Sequence, residues 1–129
     1  MFEFKKGIRV LVVDDDFYAL GVLKEVLEKK GCRILDFTNP HAALEELKKE
    51  KVDLVLSDLK MPEMDGIHFM NQVKKMYPLV PVILITGFAS IDTAVSAMKW
   101  GAFDYLKKPY EIPKIYEVIG RALQSIESN

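Results

Sequence analysis

A single cysteine, Cys32, stands in a chain of 129 residues, so no internal disulfide can form. That suits a reducing cytoplasm, which is the expected compartment. An excess of one charge is missing as well. Lys and Arg number 18 against 19 Asp and Glu, and the formal net charge of −1 advertises neither a nucleic-acid-binding nor a membrane-binding surface. Long apolar runs are also absent: the stretch Leu79 to Ile85 is interrupted by Pro81 and is too short to span a bilayer. The start, Met1-Phe2-Glu3-Phe4-Lys5-Lys6, has no apolar segment behind its charges, so no signal peptide is expected. Internal repeats and low-complexity segments are lacking. What is present is ordinary for one globular domain: 50% hydrophobic and 29% charged residues, in a chain long enough to build a core.

Short apolar runs alternate with longer amphipathic ones. Ile8–Val13, Leu54–Ser57 and Val82–Thr86 are nearly continuous apolar, as central parallel strands covered on both faces require. Arg33–Phe37 and Phe103–Lys107 are more mixed and read as edge strands. Five helical patterns lie between and after them. Leu20, Leu23 and Leu27 line the first, which Gly31 closes as a left-handed cap. Asn39-Pro40 reads as a cap and first position of the second. Met70, Val73 and Tyr77 line the third, which stops before Pro78. In the fourth, Ser90 caps, Ile91, Ala94, Val95 and Met98 are expected to face inward, and Gly101 closes. Pro113 opens the fifth, with Ile115, Ile119, Ala122 and Ile126 on one face. Five strand–helix repeats with right-handed crossovers imply an α/β fold: a five-stranded parallel sheet in the flavodoxin-like order 2-1-3-4-5, with helices on both faces. The domain is expected over residues 8–126, after a lead-in over 1–7. The polar run from Gln124 is expected to fray, leaving a tail or linker stub at 127–129.

Ligands in such folds bind outside the carboxyl ends of the strands. That rim collects Asp14 and Asp15 after the first strand, Asp58 after the third, Thr86 after the fourth and Lys108 after the fifth. Three carboxylates held close raise one another's pKa unless a cation joins them. An all-oxygen site with few protein ligands suits Mg²⁺. A phosphoryl group on Asp58 would add charge for Mg²⁺ and the Lys108 ammonium to neutralise, with the Thr86 hydroxyl donating to a phosphoryl oxygen.

The segments Val12-Val13-Asp14-Asp15-Asp16, Ser57-Asp58-Leu59-Lys60-Met61-Pro62-Glu63-Met64-Asp65-Gly66, Ile85-Thr86-Gly87 and Lys108-Pro109 resemble, in order, the signatures of response-regulator receiver domains. The likeness covers the chain from about Ile8 to Ile126. It implies that Asp58 is the phosphoacceptor, charged by a sensor histidine kinase. It also implies that Asp15 is a direct Mg²⁺ ligand, that Asp14 is a ligand through water, and that the Lys60 backbone carbonyl completes the protein's share of the metal shell. Lys108 would pair with the phosphoryl group. Tyr105 would be the aromatic switch that turns inward when Thr86 is drawn to the phosphate, and Lys108-Pro109 would carry a cis peptide. Thr86 to Val95 and Gly101 to Leu106 are similar to receivers of enhancer-binding activators that serve an alternative sigma factor. A phosphorylation-regulated homodimer through the fourth helix, fifth strand and fifth helix follows from that likeness, as does an output domain in a longer chain or a separate protein. No GxxxxGK[ST] motif of an ATPase is present. Such a domain catalyses only its own phosphoryl transfer and autodephosphorylation, and binds no nucleic acid or membrane directly.

Plainer readings apply to several positions. Asp16 is a helix cap, and Asp65-Gly66 shapes a loop and opens the third helix. Thr86 and Tyr105, taken alone, would be a strand-end hydroxyl and an edge aromatic. Lys107 is a solvated edge charge. Trp100, with Met98 and Phe103, reads as packing, and His41 and His68 as surface residues. Lys60 and Phe88 flank the acidic rim and are expected to affect how long a phosphoryl group survives there. Two rival chemistries fit poorly. An aspartate-nucleophile phosphatase wants an acid where Lys60 stands, and a flavin site would be repelled by Asp14–Asp16. A degenerate docking scaffold would have lost one of the acids or the lysine, and none is lost.

Overall fold

A computed structural model describes residues 4–127 apart from Lys6, Phe88 and Ala89. Strands and helices alternate strictly: β1 (Arg9–Val13), α1 (Phe17–Glu28), β2 (Arg33–Phe37), α2 (Pro40–Lys49), β3 (Leu54–Asp58), α3 (Gly66–Met76), β4 (Val82–Thr86), α4 (Ile91–Lys99), β5 (Asp104–Lys107) and α5 (Ile112–Glu127). The strands form one parallel sheet in the order β2-β1-β3-β4-β5, as the pattern of apolar runs requires.

Strand alternation divides the core into two layers. Val10, Val12, Leu54, Leu56, Ile83 and Ile85 point to one face, where Leu20, Leu23 and Leu27 of α1 and Ile115, Ile119 and Ala122 of α5 cover them. Leu11, Val13, Val55, Val82 and Leu84 point to the other, under Ala43 and Leu47 of α2, Phe69, Met70 and Val73 of α3, and Ala97 of α4. Burial of both faces explains why β1, β3 and β4 lack the polar alternation of the edge strands.

Helix starts follow the side-chain chemistry. Asp16 accepts from the backbone N–H groups of Tyr18 and Ala19, Asn39 from those of His41 and Ala42, and Asp65 from that of His68. Gly31 and Gly101 take φ of +86° and +104° where the chain leaves α1 and α4. Pro113 occupies the second position of α5, one residue inside the start that Ile112 makes. That helix continues through residues 124–127, where polar composition alone points to fraying.

The fourth helix overturns an expectation. Ile91, Val95 and Met98 do share a face, but that face is turned to solvent, with 83%, 60% and 49% of their surfaces exposed. Trp100 is exposed too, so it is not packing. Helix α4 instead seats small residues on the sheet: Ala97 is buried, and Thr93, Ala94 and Ser96 are half-buried. Periodicity identifies a stripe but not the side on which the sheet lies.

Gly66 is required by packing at the start of α3. A Cβ there would collide with the Asp58 carbonyl oxygen and stand 2.8 Å from the Leu59 Cα, both backbone atoms that cannot step aside. Gly66→Ala is expected to destabilise the domain by about 1–3 kcal/mol, read as a lower midpoint in urea unfolding; an unchanged midpoint would refute this account of the turn.

Candidate functional site

Parallel strands that end together place their next residues on one rim. Asp58 is the last residue of β3, Asp14 follows β1, Thr86 ends β4, and Lys108 follows β5. Backbone bonds fix the alignment: Leu59 N–H donates to Ile85 O at 2.7 Å, and Lys108 N–H donates to Thr86 O at 2.8 Å. The carboxylates of Asp14, Asp15 and Asp58 each offer an oxygen within 4.8 Å of the others. Asp14 and Asp58 are buried, whereas Asp15 is exposed. The Lys108 Nζ lies 2.8 Å from Asp14 Oδ2 and 3.5 Å from Asp58 Oδ2, reaching both across the rim. The Lys108–Pro109 peptide is cis.

Other candidate residues take separate places. Thr86 is fully buried at the end of β4. Tyr105, half-buried on β5, meets α4: its hydroxyl is 2.8 Å from Thr93 Oγ1. Thr93 in turn closes a reciprocal cap with Ser90, each accepting from the other's backbone N–H at 3.1 Å. The sequence reading passed over Thr93, although a hydroxyl three residues after the capping Ser90 was there to be noticed. Lys60 is exposed and lines a cleft with His68, Thr93 and Trp100. Lys107 and both histidines are exposed. Phe88 lies outside the described residues.

The electrostatics are set by too few cations. Burial raises the Asp58 pKa to about 7; the Asp14 charge raises it too, and Lys108 opposes them. Burial acts to lower the Lys108 pKa, but the Asp14 contact and charge, then Asp58, more than offset it and hold the ammonium above its usual range. Three carboxylates facing one ammonium leave uncompensated negative charge, and the all-oxygen donor set fits a hard divalent cation.

A carboxyl whose pKa is raised on folding favours the fold when protonated. Its contribution is full below the unfolded value of 3.8 and is lost as pH rises toward 7. Asp58→Asn abolishes that loss. Without divalent cations, the variant is expected to gain on the wild type by roughly 2–4 kcal/mol between those limits. Urea unfolding across the pH range measures it, and parallel curves would refute the burial of Asp58 as a strained anion.

The comparisons with known proteins agree on one family. The family model of the response regulator receiver domain matches residues 10–120. The DNA-binding transcriptional regulator NtrC of Escherichia coli (strain K12) is 41% identical over 119 residues, covering 92% of this chain and 25% of that protein. The transcriptional regulatory protein ZraR of Klebsiella oxytoca is 40% identical over 116 residues, covering 90% and 26%. The chain thus spans about a quarter of the curated relatives it matches. Among solved structures, the beryllofluoride-activated NtrC4 receiver domain dimer superposes with a TM-score of 0.87 at 34% identity, covering 91% of this chain and 97% of that one. With the acid rim, the lysine and this coverage together, the chain belongs to the response regulator receiver domains of two-component systems, with NtrC- and ZraR-type transcriptional regulators as its relatives.

Proposed function

We propose that Asp58 accepts a phosphoryl group from the phosphohistidine of a sensor kinase and that the modification alters the α4–β5–α5 surface. Receiver domains are, as a family, phosphorylation-activated switches. The observation that carries the assignment to Asp58 is the pairing of a buried carboxylate with two further carboxylates and a shared ammonium.

In this reading an Asp58 carboxylate oxygen attacks phosphorus in line with the leaving nitrogen. The P–N bond breaks, its electron pair returns to the imidazole, and an acyl phosphate forms. Asp15 and Asp58 would hold Mg²⁺ directly, Asp14 through water, and the Lys60 carbonyl would complete the protein ligands. When bound, the ion neutralises charge on the transferring group. Lys108 moves from its carboxylate partners to a phosphoryl oxygen, and the Thr86 hydroxyl donates to another. Water later hydrolyses the acyl phosphate, so the chemistry ends on the domain itself.

The output follows from the same contacts. Each charge-assisted hydrogen bond is worth roughly 1.5–3 kcal/mol, so two or three can shift a two-state equilibrium by several powers of ten. As Thr86 moves, Tyr105 follows it inward, and its hydroxyl must leave Thr93 Oγ1. That releases the first turn of α4. The exposed stripe Ile91, Val95 and Met98 then becomes the centre of a homodimer, a reading supported by the NtrC4 receiver dimer. The relatives are about four times as long, which supports an output domain beyond this chain, attached or separate. A cytoplasmic site of action fits the lone cysteine, and among the described residues no helix is long and apolar enough to cross a membrane.

With Mg²⁺ and acetyl phosphate, intact-mass spectrometry is expected to record one added phosphoryl group on the wild type, none on Asp58→Asn and none without Mg²⁺. A full adduct on the variant would move the acceptor elsewhere. Light scattering is expected to show phosphorylation-dependent dimers in the wild type and monomers in Val95→Asp; equal association of both proteins would remove α4 from the interface.

A further inference from the structure

Thr93 Oγ1 is shared among more partners than one hydroxyl can serve. It lies 3.1 Å from the Ser90 N–H nitrogen, 3.1 Å from the Ser90 carbonyl oxygen, 3.0 Å from Ser90 Oγ and 2.8 Å from the Tyr105 hydroxyl. A threonine hydroxyl has one proton to give and two lone pairs with which to accept. The Ser90 N–H can only donate and the Ser90 carbonyl can only accept, so these two use the proton and one lone pair. One acceptor position is left, and Ser90 Oγ and Tyr105 compete for it. Tyr105 makes the shortest of these contacts. Ser90 is exposed, so its own hydroxyl proton can go to water. The Tyr105 hydroxyl therefore donates to Thr93.

One oxygen thus performs two tasks: it closes the first turn of α4 and holds the aromatic side chain of β5. Apolar packing restrains that helix little, since Ala97 is its one buried residue. Losing the Tyr105 contact also leaves no stranded group. Thr93 is half-buried and lines the cleft of about 500 Å³ between α3 and α4, where water can take over the vacated acceptor. What is at stake is one ordinary neutral hydrogen bond, not a buried polar atom without a partner.

We infer that Thr93 is the brake of the switch: its hydroxyl holds Tyr105 in the resting arrangement and so sets how much unphosphorylated protein already samples the switched form. The brake rests on the reading of Asp58 as phosphoacceptor and of Tyr105 as the aromatic that turns inward. A ligand that favours a sparsely populated form binds more weakly in proportion to that population. Releasing the brake enlarges the population by the roughly two- to tenfold that one neutral hydrogen bond carries. A serine at position 93 would keep the brake, whereas a valine would fill the space without it.

The test removes either end of the contact. With Mg²⁺ present, Tyr105→Phe and Thr93→Val are each expected to bind beryllofluoride, a phosphoryl mimic, roughly two- to tenfold more tightly than the wild type. Thr93→Ser is expected to bind it as the wild type does. The double variant Thr93→Val, Tyr105→Phe is expected to gain no more than either single one, because both break the same bond. Without beryllofluoride, amide hydrogen exchange in Tyr105→Phe is expected to quicken by a similar factor in α4 and not in α1. Equal or weaker beryllofluoride binding by either single variant, gains that add in the double, or Thr93→Ser behaving like Thr93→Val would overturn the brake. A wild type that shows no response to beryllofluoride would instead sink the role of Asp58. Exchange would then decide alone, and α4 rates in Tyr105→Phe equal to those of the wild type would overturn the brake.

Discussion

Two carboxylates taken out of water, Asp14 and Asp58, share one ammonium, that of Lys108, and most of the local architecture serves that arrangement. Coulomb repulsion between such groups is weak in water and several times stronger where the effective dielectric is low. The domain therefore holds its acids in an unfavourable state. Part of the cost appears as the raised pKa of Asp58, which sits near neutrality and not in the usual carboxylate range. A site prepared in this way gains from any added cation and from any change that redistributes the lysine. Under the proposed function, cation binding and phosphorylation would both draw on the same uncompensated charge.

Keeping like charges together requires a scaffold that does not yield. Here it is the three central strands, whose side chains are buried on both faces of the sheet. Backbone bonds run across the strand ends themselves, from Leu59 to Ile85 and from Lys108 to Thr86. The acids and the lysine are thus separated by fixed register, not by flexible loops. Gly66 adds a further restraint by letting the start of α3 rest directly on the Asp58 backbone, with Gly66 N–H donating to Leu59 O at 2.7 Å.

The fold and the acid rim were readable because each rests on a local rule. Continuous apolar runs mark strands buried on two faces, and residues just past the ends of parallel strands must share a rim. Asp14, Asp15, Asp58 and Lys108 needed nothing more. The outward face of α4 was not readable, because Ile91, Val95 and Met98 satisfy helical spacing equally well on either side. Small residues such as Ala97 leave little hydrophobic signal to mark the buried side. The cap between Ser90 and Thr93 had a local signal, but the contact of Thr93 with the Tyr105 hydroxyl had none, because partners distant in sequence leave no periodic trace.

In the proposed switch, the weakness of α4's attachment makes this helix, and not α1, suited to transmitting a signal. Helix α1 buries Ala19, Leu20, Leu23, Val26 and Leu27, whereas α4 buries Ala97 alone. Apolar burial is worth about 25 cal/mol per Å², so shifting α1 would forfeit several side chains' worth of stabilisation and shifting α4 would forfeit far less. What holds α4 is largely polar and local: the Ser90–Thr93 cap and the Thr93–Tyr105 hydroxyl contact. The cap lies just beyond the end of β4, which Thr86 forms, and the hydroxyl contact ties it to β5. A charge change of a few kcal/mol at the rim is thus comparable with the forces that hold the helix. The exposed stripe of Ile91, Val95 and Met98 rides on that one loosely held element, so in the proposed switch a small displacement there would re-aim a ready-made apolar surface while the core beneath the sheet stays in place.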